Sequence, residues 1–96
     1  MKQLIDVIGI PAMLEQTAEE VNELAFACLK LARMLRGENK VHGRIEEELV
    51  DNLEEEFADV LVCLDQLREV VVSSEEVKQW KLHKQRRMAH RLKEVV

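Results

Sequence analysis

Two pairs of acidic residues, each spaced like neighbours on one turn of a helix, are the side chains best suited to chemistry. Glu20 and Glu23 form the first pair, and Glu56 and Asp59 form the second. Residues three apart on a helix carry their Cβ atoms about 5–6 Å apart, so each pair projects two carboxylates together. Four converging carboxylates offer only oxygen ligands, which suit Mg²⁺ or Mn²⁺. If the fold joins the two pairs, the sequence predicts a divalent-metal site.

Both pairs interrupt helical faces that are otherwise apolar. At about 100° of rotation per residue, Glu56 lies within roughly 40° of the middle of such a face. The residues of that face are Leu49, Leu53, Val60, Leu64, Leu67 and Val71. An unpaired buried carboxylate costs several kcal/mol, so a cation is expected beside it. The alternative is a solvated face, because E-x-x-E and E-x-x-D are weak signals in a chain with 19 acidic residues.

The hydrophobic periodicity predicts an all-α chain. The predicted helices cover residues 2–8, 11–36, 45–72 and 75–94. Pro11 is tolerated in a first turn, Gly37 suits a helix end, and Ser73 with Glu76 resembles a capping box. The stretch 37–44 is the one predicted flexible loop. Short connections favour antiparallel neighbours, so we expect an antiparallel helical bundle.

The first long helix carries two apolar rows. The main row is Leu14, Ala18, Val21, Leu24, Ala25, Cys28, Leu31, Ala32 and Leu35, and a second row is Met13, Ala27 and Met34. Glu20 lies among these residues and repeats the anomaly of Glu56. Cys28 and Cys63 both fall on apolar rows and are predicted to be small core residues. The combined faces are wider than one helix covers, which favours a homodimer at least.

Length and charge limit the classes of protein that fit. Ninety-six residues with a net charge of −5 predict one domain, residues 1–96. No C-x-x-C pair, secretory leader or apolar run of membrane-spanning length is present, so a cytoplasmic protein without membrane insertion is expected. The charge is segregated: residues 1–77 carry 7 basic and 18 acidic side chains, and residues 78–96 carry 7 basic and 1 acidic.

One row along the last predicted helix holds a tryptophan and three cations. Its members are Trp80, Lys84, Arg87 and Arg91, at the edge of an apolar stripe that includes Val77, Met88 and Leu92. These cations either complete a site, pair with acids of other helices, or are solvated. A basic helix also suits nucleic acid, but no Trp, Tyr or Phe is interleaved among Lys84, Arg87 and Arg91, and helix-turn-helix spacing is absent, so a nucleic-acid partner is not expected.

The segments "EEVNE" (residues 19–23) and "EEFAD" (residues 55–59) together resemble the MazG-like all-α nucleotide pyrophosphohydrolases. The signature of that family is E-x-x-E, an interval containing a loop, and E-x-x-D on two antiparallel helices. The resemblance covers nearly the whole chain, including "KQRRMAHR" on the last helix. It implies a MazG-like bundle completed by homo-oligomerisation, as a homodimer or homotetramer. The sequence departs from the family in the interval between Glu23 and Glu56, which is longer than usual.

The resemblance also implies an activity and a set of residues. The family cleaves a nucleoside triphosphate to the monophosphate and pyrophosphate with Mg²⁺, and its four acids correspond here to Glu20, Glu23, Glu56 and Asp59. Glu19 is then a base or an outer-sphere group. The K-x-x-R-x-x-x-R pattern implies that Lys84, Arg87 and Arg91 bind phosphates. Trp80 either stacks on the base or packs in the core or an interface.

A second class of function stays open. The chain fits a non-catalytic helical interaction or regulatory module whose basic last helix mediates binding. Metal dependence discriminates between the two classes, because Mg²⁺ stabilises the fold if the four acids form a site.

Overall fold

The structure, a computed structural model, describes residues 2–37 and 45–95 and is helical with short turns throughout that part of the chain. Four helices follow in order: α1 (Leu4–Ile8), α2 (Ile10–Arg36), α3 (Glu46–Leu67) and α4 (Ser74–Val95). The all-α prediction is therefore confirmed for the described residues. The predicted loop 37–44 lies outside them except for Gly37. No helix in the described part has the length and apolar character needed to cross a membrane.

Local sequence explains where α2 and α3 begin and α2 ends. Gly9 and Gly37 flank α2 with φ angles of 88° and 71°, a region that costs little only for glycine. Pro11 lies in the first turn of α2, where the missing N–H has no helical partner to lose. The first turn of α3 holds three acids, Glu46, Glu47 and Glu48, whose charge favours a helix N-terminus.

The helices α2 and α3 pack against each other in antiparallel orientation along one continuous contact, which we call the seam. On α2 the seam consists of Met13, Thr17, Glu20, Leu24, Ala27, Leu31 and Met34, and on α3 of Leu49, Leu53, Glu56, Val60, Cys63 and Leu67. All of these residues are buried or half-buried. Their spacing alternates between four and three residues, as in a coiled coil. Ile5 of α1 closes one end of the seam against Met13, Cys63 and Leu67.

The buried face of α2 is narrower than the predicted apolar stripe. Leu24 and Leu31 of the main row lie in the seam with Met13 and Ala27 of the second row, whereas Leu14, Val21 and Cys28 are exposed. Leu14 lies about 100° around the helix from Met13. The single partner helix α3 covers only the side of α2 that carries Met13 and Ala27. Cys63 is buried as predicted, but Cys28 is not.

The helix α3 ends at Leu67, five residues before the predicted end. The carbonyl of Leu67 accepts hydrogen bonds from the N–H groups of Val71 and Val72, and Glu69 has a left-handed φ of 62°. The N–H of Glu69 donates to the carbonyl of Val72 at 2.7 Å. Three consecutive β-branched valines have a low helix propensity, which helps this tight turn to replace a further helical turn.

The helix α4 does not pack on α1, α2 or α3, so the helices that pack together within one chain are α1, α2 and α3. The Ser73 hydroxyl accepts from the Glu76 N–H at 3.2 Å, one half of the predicted capping box, and the Glu69 carboxylate accepts from the Ser74 N–H at 2.8 Å. Met88 and Leu92 face solvent rather than a core. The radius of gyration of 17.3 Å exceeds the roughly 12.5 Å expected for a compact chain of this length.

Candidate metal centre

The seam brings the two acidic pairs together. Glu20 and Glu56 occupy seam positions that hydrophobic residues take elsewhere, on opposite helices. Glu23 and Asp59 follow three residues later on their helices, so helix rotation places them about 60° around from Glu20 and Glu56, both on the same side of the hairpin. The carboxylates of the pairs interact: Glu20 with Asp59, and Glu23 with Glu56. The antiparallel packing thus converts two separate sequence signals into one cluster.

Distances within the cluster are short. One carboxylate oxygen from each of Glu20, Glu56 and Asp59 lies within 4.8 Å of the other two. In an octahedral Mg²⁺ site with metal–oxygen distances of about 2.1 Å, adjacent ligands lie about 3 Å apart and opposite ligands about 4 Å apart. Rotamer adjustments would be needed to bring the three oxygens to such positions. Glu23 is close enough to interact with Glu56, so it can supply a fourth carboxylate.

Two oxygens of the cluster are buried without a hydrogen bond. Within the described residues, Glu20 Oε2 and Glu56 Oε2 have no hydrogen-bond partner and almost no solvent contact. The other oxygen of Glu20, Oε1, accepts a hydrogen bond from Gln16 Nε2 at 3.1 Å. Buried polar atoms are normally paired, because an unpaired one loses its water without compensation. A divalent cation would satisfy both atoms at once, so the donor set fits the metal predicted from the sequence.

Repulsion between the carboxylates of the cluster helps to raise the proton affinity of Glu20 and Glu23. Burial, followed by the charges of Glu23 and Asp59, raises the pKa of Glu20 above its ordinary value. The charge of Glu56 is the main cause that raises the pKa of Glu23. Like charges held close together disfavour the ionised form of each. A bound cation would reverse this effect.

These shifts predict that the metal-free protein becomes more stable as the pH falls from 7 towards 4.5. The raised pKa values of Glu20 and Glu23 mean that the folded state binds protons more tightly than the unfolded state. Their favourable contribution is complete below the unfolded pKa of about 4.5 and is lost as the pH rises through the folded values. Glu23→Gln should flatten this part of the pH profile, measured as the free energy of unfolding in a chelator. An unchanged slope would contradict the coupling.

The other predicted site residues do not join the cluster within one chain. Glu19 is exposed and precedes Glu20 by one residue on α2. Lys84, Arg87 and Arg91 are exposed on α4, which packs on no other described helix. Trp80 is also exposed and contacts His83 edge to face, with ring centroids 6.1 Å apart. Trp80 therefore does not pack in the core of its own chain.

Sequence reasoning did not identify three polar residues that lie beside the acids. Gln16 donates a hydrogen bond to Glu20 and so orients its carboxylate. The i,i+4 spacing of the amide and the carboxylate could have predicted this contact. Thr17 is buried beside the acids, and its hydroxyl donates to the Met13 carbonyl at 2.7 Å. Burial, with the charges of Glu20 and Asp59, raises the pKa of the Cys63 thiol. The acid cluster therefore has other polar side chains beside it at the seam.

Comparison with known proteins adds no further assignment. No family model matches the chain, and no curated protein or solved structure matches it. The resemblance to the MazG-like family therefore stays a prediction that rests on the residues and their placement.

Proposed function

We propose that this protein is a Mg²⁺-dependent, MazG-like nucleotide pyrophosphohydrolase that converts a nucleoside triphosphate or its deoxy form to the monophosphate and pyrophosphate. The observation that carries the proposal is the convergence of an E-x-x-E and an E-x-x-D pair across one helical seam. Glu20, Glu23, Glu56 and Asp59 are the proposed metal ligands. Glu20 Oε2 and Glu56 Oε2 support this role, because both are buried without a hydrogen bond among the described residues.

The proposed reaction is attack of water on the α-phosphorus. A new P–O bond forms as the bond to the oxygen bridging the α- and β-phosphorus atoms breaks, and pyrophosphate leaves with that electron pair. Bound Mg²⁺ would neutralise phosphate charge and lower the pKa of water. Glu19, exposed beside the ligands, is proposed to accept the proton of the attacking water. The exposed position leaves its carboxylate free to approach a substrate.

The proposal includes a homodimer or homotetramer. Lys84, Arg87, Arg91 and Trp80 are proposed to bind phosphates and base, but α4 does not approach the acids of its own chain. Triphosphate carries several negative charges, and charge-assisted contacts to Lys and Arg are the usual means of holding them. Assembly with other copies is therefore the proposed means of completing the site.

Pyrophosphate release from a panel of nucleoside triphosphates, with and without Mg²⁺, tests this function directly. We expect release that a chelator abolishes. Mg²⁺ alone should also raise the melting temperature, since a ligand at 100 times its Kd stabilises a fold by about 2.7 kcal/mol. If Mg²⁺ raised the melting temperature but no pyrophosphate were released, the protein would bind metal but have another activity. The absence of both effects would favour the interaction module.

A further inference from the structure

The two oxygens of the Glu20 carboxylate have different surroundings. Oε1 accepts a hydrogen bond from the side-chain amide of Gln16 at 3.1 Å, whereas Oε2 is buried without a hydrogen bond among the described residues. An ionised carboxylate only accepts hydrogen bonds, so the nitrogen of the Gln16 amide faces it. Gln16 therefore holds one oxygen of Glu20 and leaves the other for a cation.

Helix geometry and burial hold Gln16 against Glu20. Side chains on an α-helix lean towards its N-terminus, so the Glu20 side chain reaches back over the turn that carries Gln16. Both side chains are half-buried, which limits their rotamers. The hydroxyl of Thr17, the next residue in the chain, donates to the Met13 carbonyl and so does not replace Gln16 as a donor.

A second glutamine–glutamate pair, on α4, makes the same kind of contact away from the acid cluster. Gln79 donates to the Glu75 carboxylate at 3.0 Å with the same four-residue spacing, and this pair is exposed. Such a pair adds a little to the stability of its helix. Gln16 differs because its acceptor, Glu20, lies within the acid cluster. The Gln16 hydrogen bond therefore affects the geometry of the candidate metal centre as well as the helix.

The number of oxygens that one carboxylate supplies distinguishes Mg²⁺ from Ca²⁺. Mg²⁺ requires near-octahedral ligands at about 2.1 Å, whereas Ca²⁺ accepts six to eight ligands at about 2.3–2.6 Å and binds carboxylates through one oxygen or both. The two oxygens of one carboxylate lie closer together than the about 3 Å between adjacent ligands of Mg²⁺, so binding through both suits Ca²⁺ better. A carboxylate limited to one oxygen therefore favours Mg²⁺.

We propose that Gln16 is a positioning residue that restricts Glu20 to one metal-binding oxygen, Oε2, and thereby makes the site discriminate against Ca²⁺. This inference rests on the metal centre of the proposed function. It goes beyond that function because Gln16 belongs to neither acidic pair and acts only through Glu20. Residues that hold a metal ligand by a hydrogen bond typically account for about 10–100-fold in metal affinity.

The test is thermal melting of the whole chain over a concentration series of MgCl₂ or CaCl₂, which gives a Kd for each ion without an activity assay. Gln16→Met removes the donor but keeps the length and the helix propensity of the side chain. We expect its Kd for Mg²⁺ to rise about 10–100-fold. The Kd for Ca²⁺ should change much less, because the freed Glu20 carboxylate binds the larger ion through both oxygens.

Gln79→Met is the matched control, because it removes the same kind of hydrogen bond from the exposed pair on α4. Both of its Kd values should equal those of the wild type. Gln16→Leu also lacks the donor and should repeat the loss, and a cooperative melt in chelator shows that each variant is folded. An unchanged ratio of the two Kd values in the Gln16 variants, or an equal change in Gln79→Met, would overturn the inference and leave the metal centre intact. A wild type that binds neither ion would overturn both.

Discussion

Glu56→Gln is expected to abolish measurable Mg²⁺-dependent pyrophosphate release. The substitution removes one negative charge from the cluster but keeps the volume and most of the shape of the side chain. Changes in the outer sphere of a metal site alone cost about 10–100-fold in affinity or activity, so loss of a ligand should cost at least about 100-fold. Glu56 occupies a seam position, with Oε2 buried and unpartnered among the described residues.

The matched control is Glu54→Gln, which makes the same chemical change on the exposed side of α3. We expect its turnover and Mg²⁺ affinity to stay close to the wild-type values. Without metal, Glu56→Gln should be as stable as the wild type or more stable, because one repelling carboxylate is gone. Turnover, metal titration and thermal melting on the two variants give the comparison. Equal losses in both would show that the assignment of the metal face is wrong.

Arg87→Ala is expected to lower kcat/KM by roughly 30–150-fold, the equivalent of about 2–3 kcal/mol for a charge-assisted contact to phosphate. Mg²⁺ affinity should survive, since the four carboxylates are untouched. The melting temperature should hardly change in the monomer, because Arg87 has no ion pair among the described residues and α4 packs on no other helix there. This combination separates a phosphate-binding role from a structural one.

Arg86→Ala serves as the control for this experiment, because Arg86 lies about 100° away from Arg87 around α4 and nearly opposite Lys84 and Met88. Both arginines are exposed, and each substitution removes one positive charge. A stable and fully active Arg87→Ala protein would identify Arg87 as solvated surface. A fall in melting temperature with intact turnover would instead indicate an ion pair formed between copies.

The acid cluster could be predicted from sequence because it depends on residues that are close together in the chain. Glu20 with Glu23, and Glu56 with Asp59, each share one helical turn, and two long helices with a short connection are bound to be antiparallel. The buried row of α2 could not be predicted in the same way. The row that begins at Met13 includes Thr17 and Glu20, whereas the row that begins at Leu14 is apolar throughout. Hydrophobicity therefore does not select the buried row, which depends on the position of the partner helix.

The placement of α4 depends on contacts that periodicity does not encode. A helical pattern continues through Val71, yet the chain turns at Leu67 because the Val70–Val72 run favours extended backbone and Glu69 adopts a left-handed conformation. That turn sets the direction of the whole last helix. Hydrophobic spacing shows that α4 has an apolar side, but it does not show whether the same chain or another one covers it.

The isolation of α4 has a consequence for amide hydrogen exchange and for the order of folding. Most helical stability in proteins comes from packing, so the N–H groups of an uncontacted 22-residue helix open with little free energy. The seam amides of α2 and α3 should exchange more slowly than those of α4, because they open only when the two packed helices separate. If α4 docks on another copy of the chain, as the proposed homo-oligomer requires, its docking follows formation of the hairpin and its protection should rise with protein concentration.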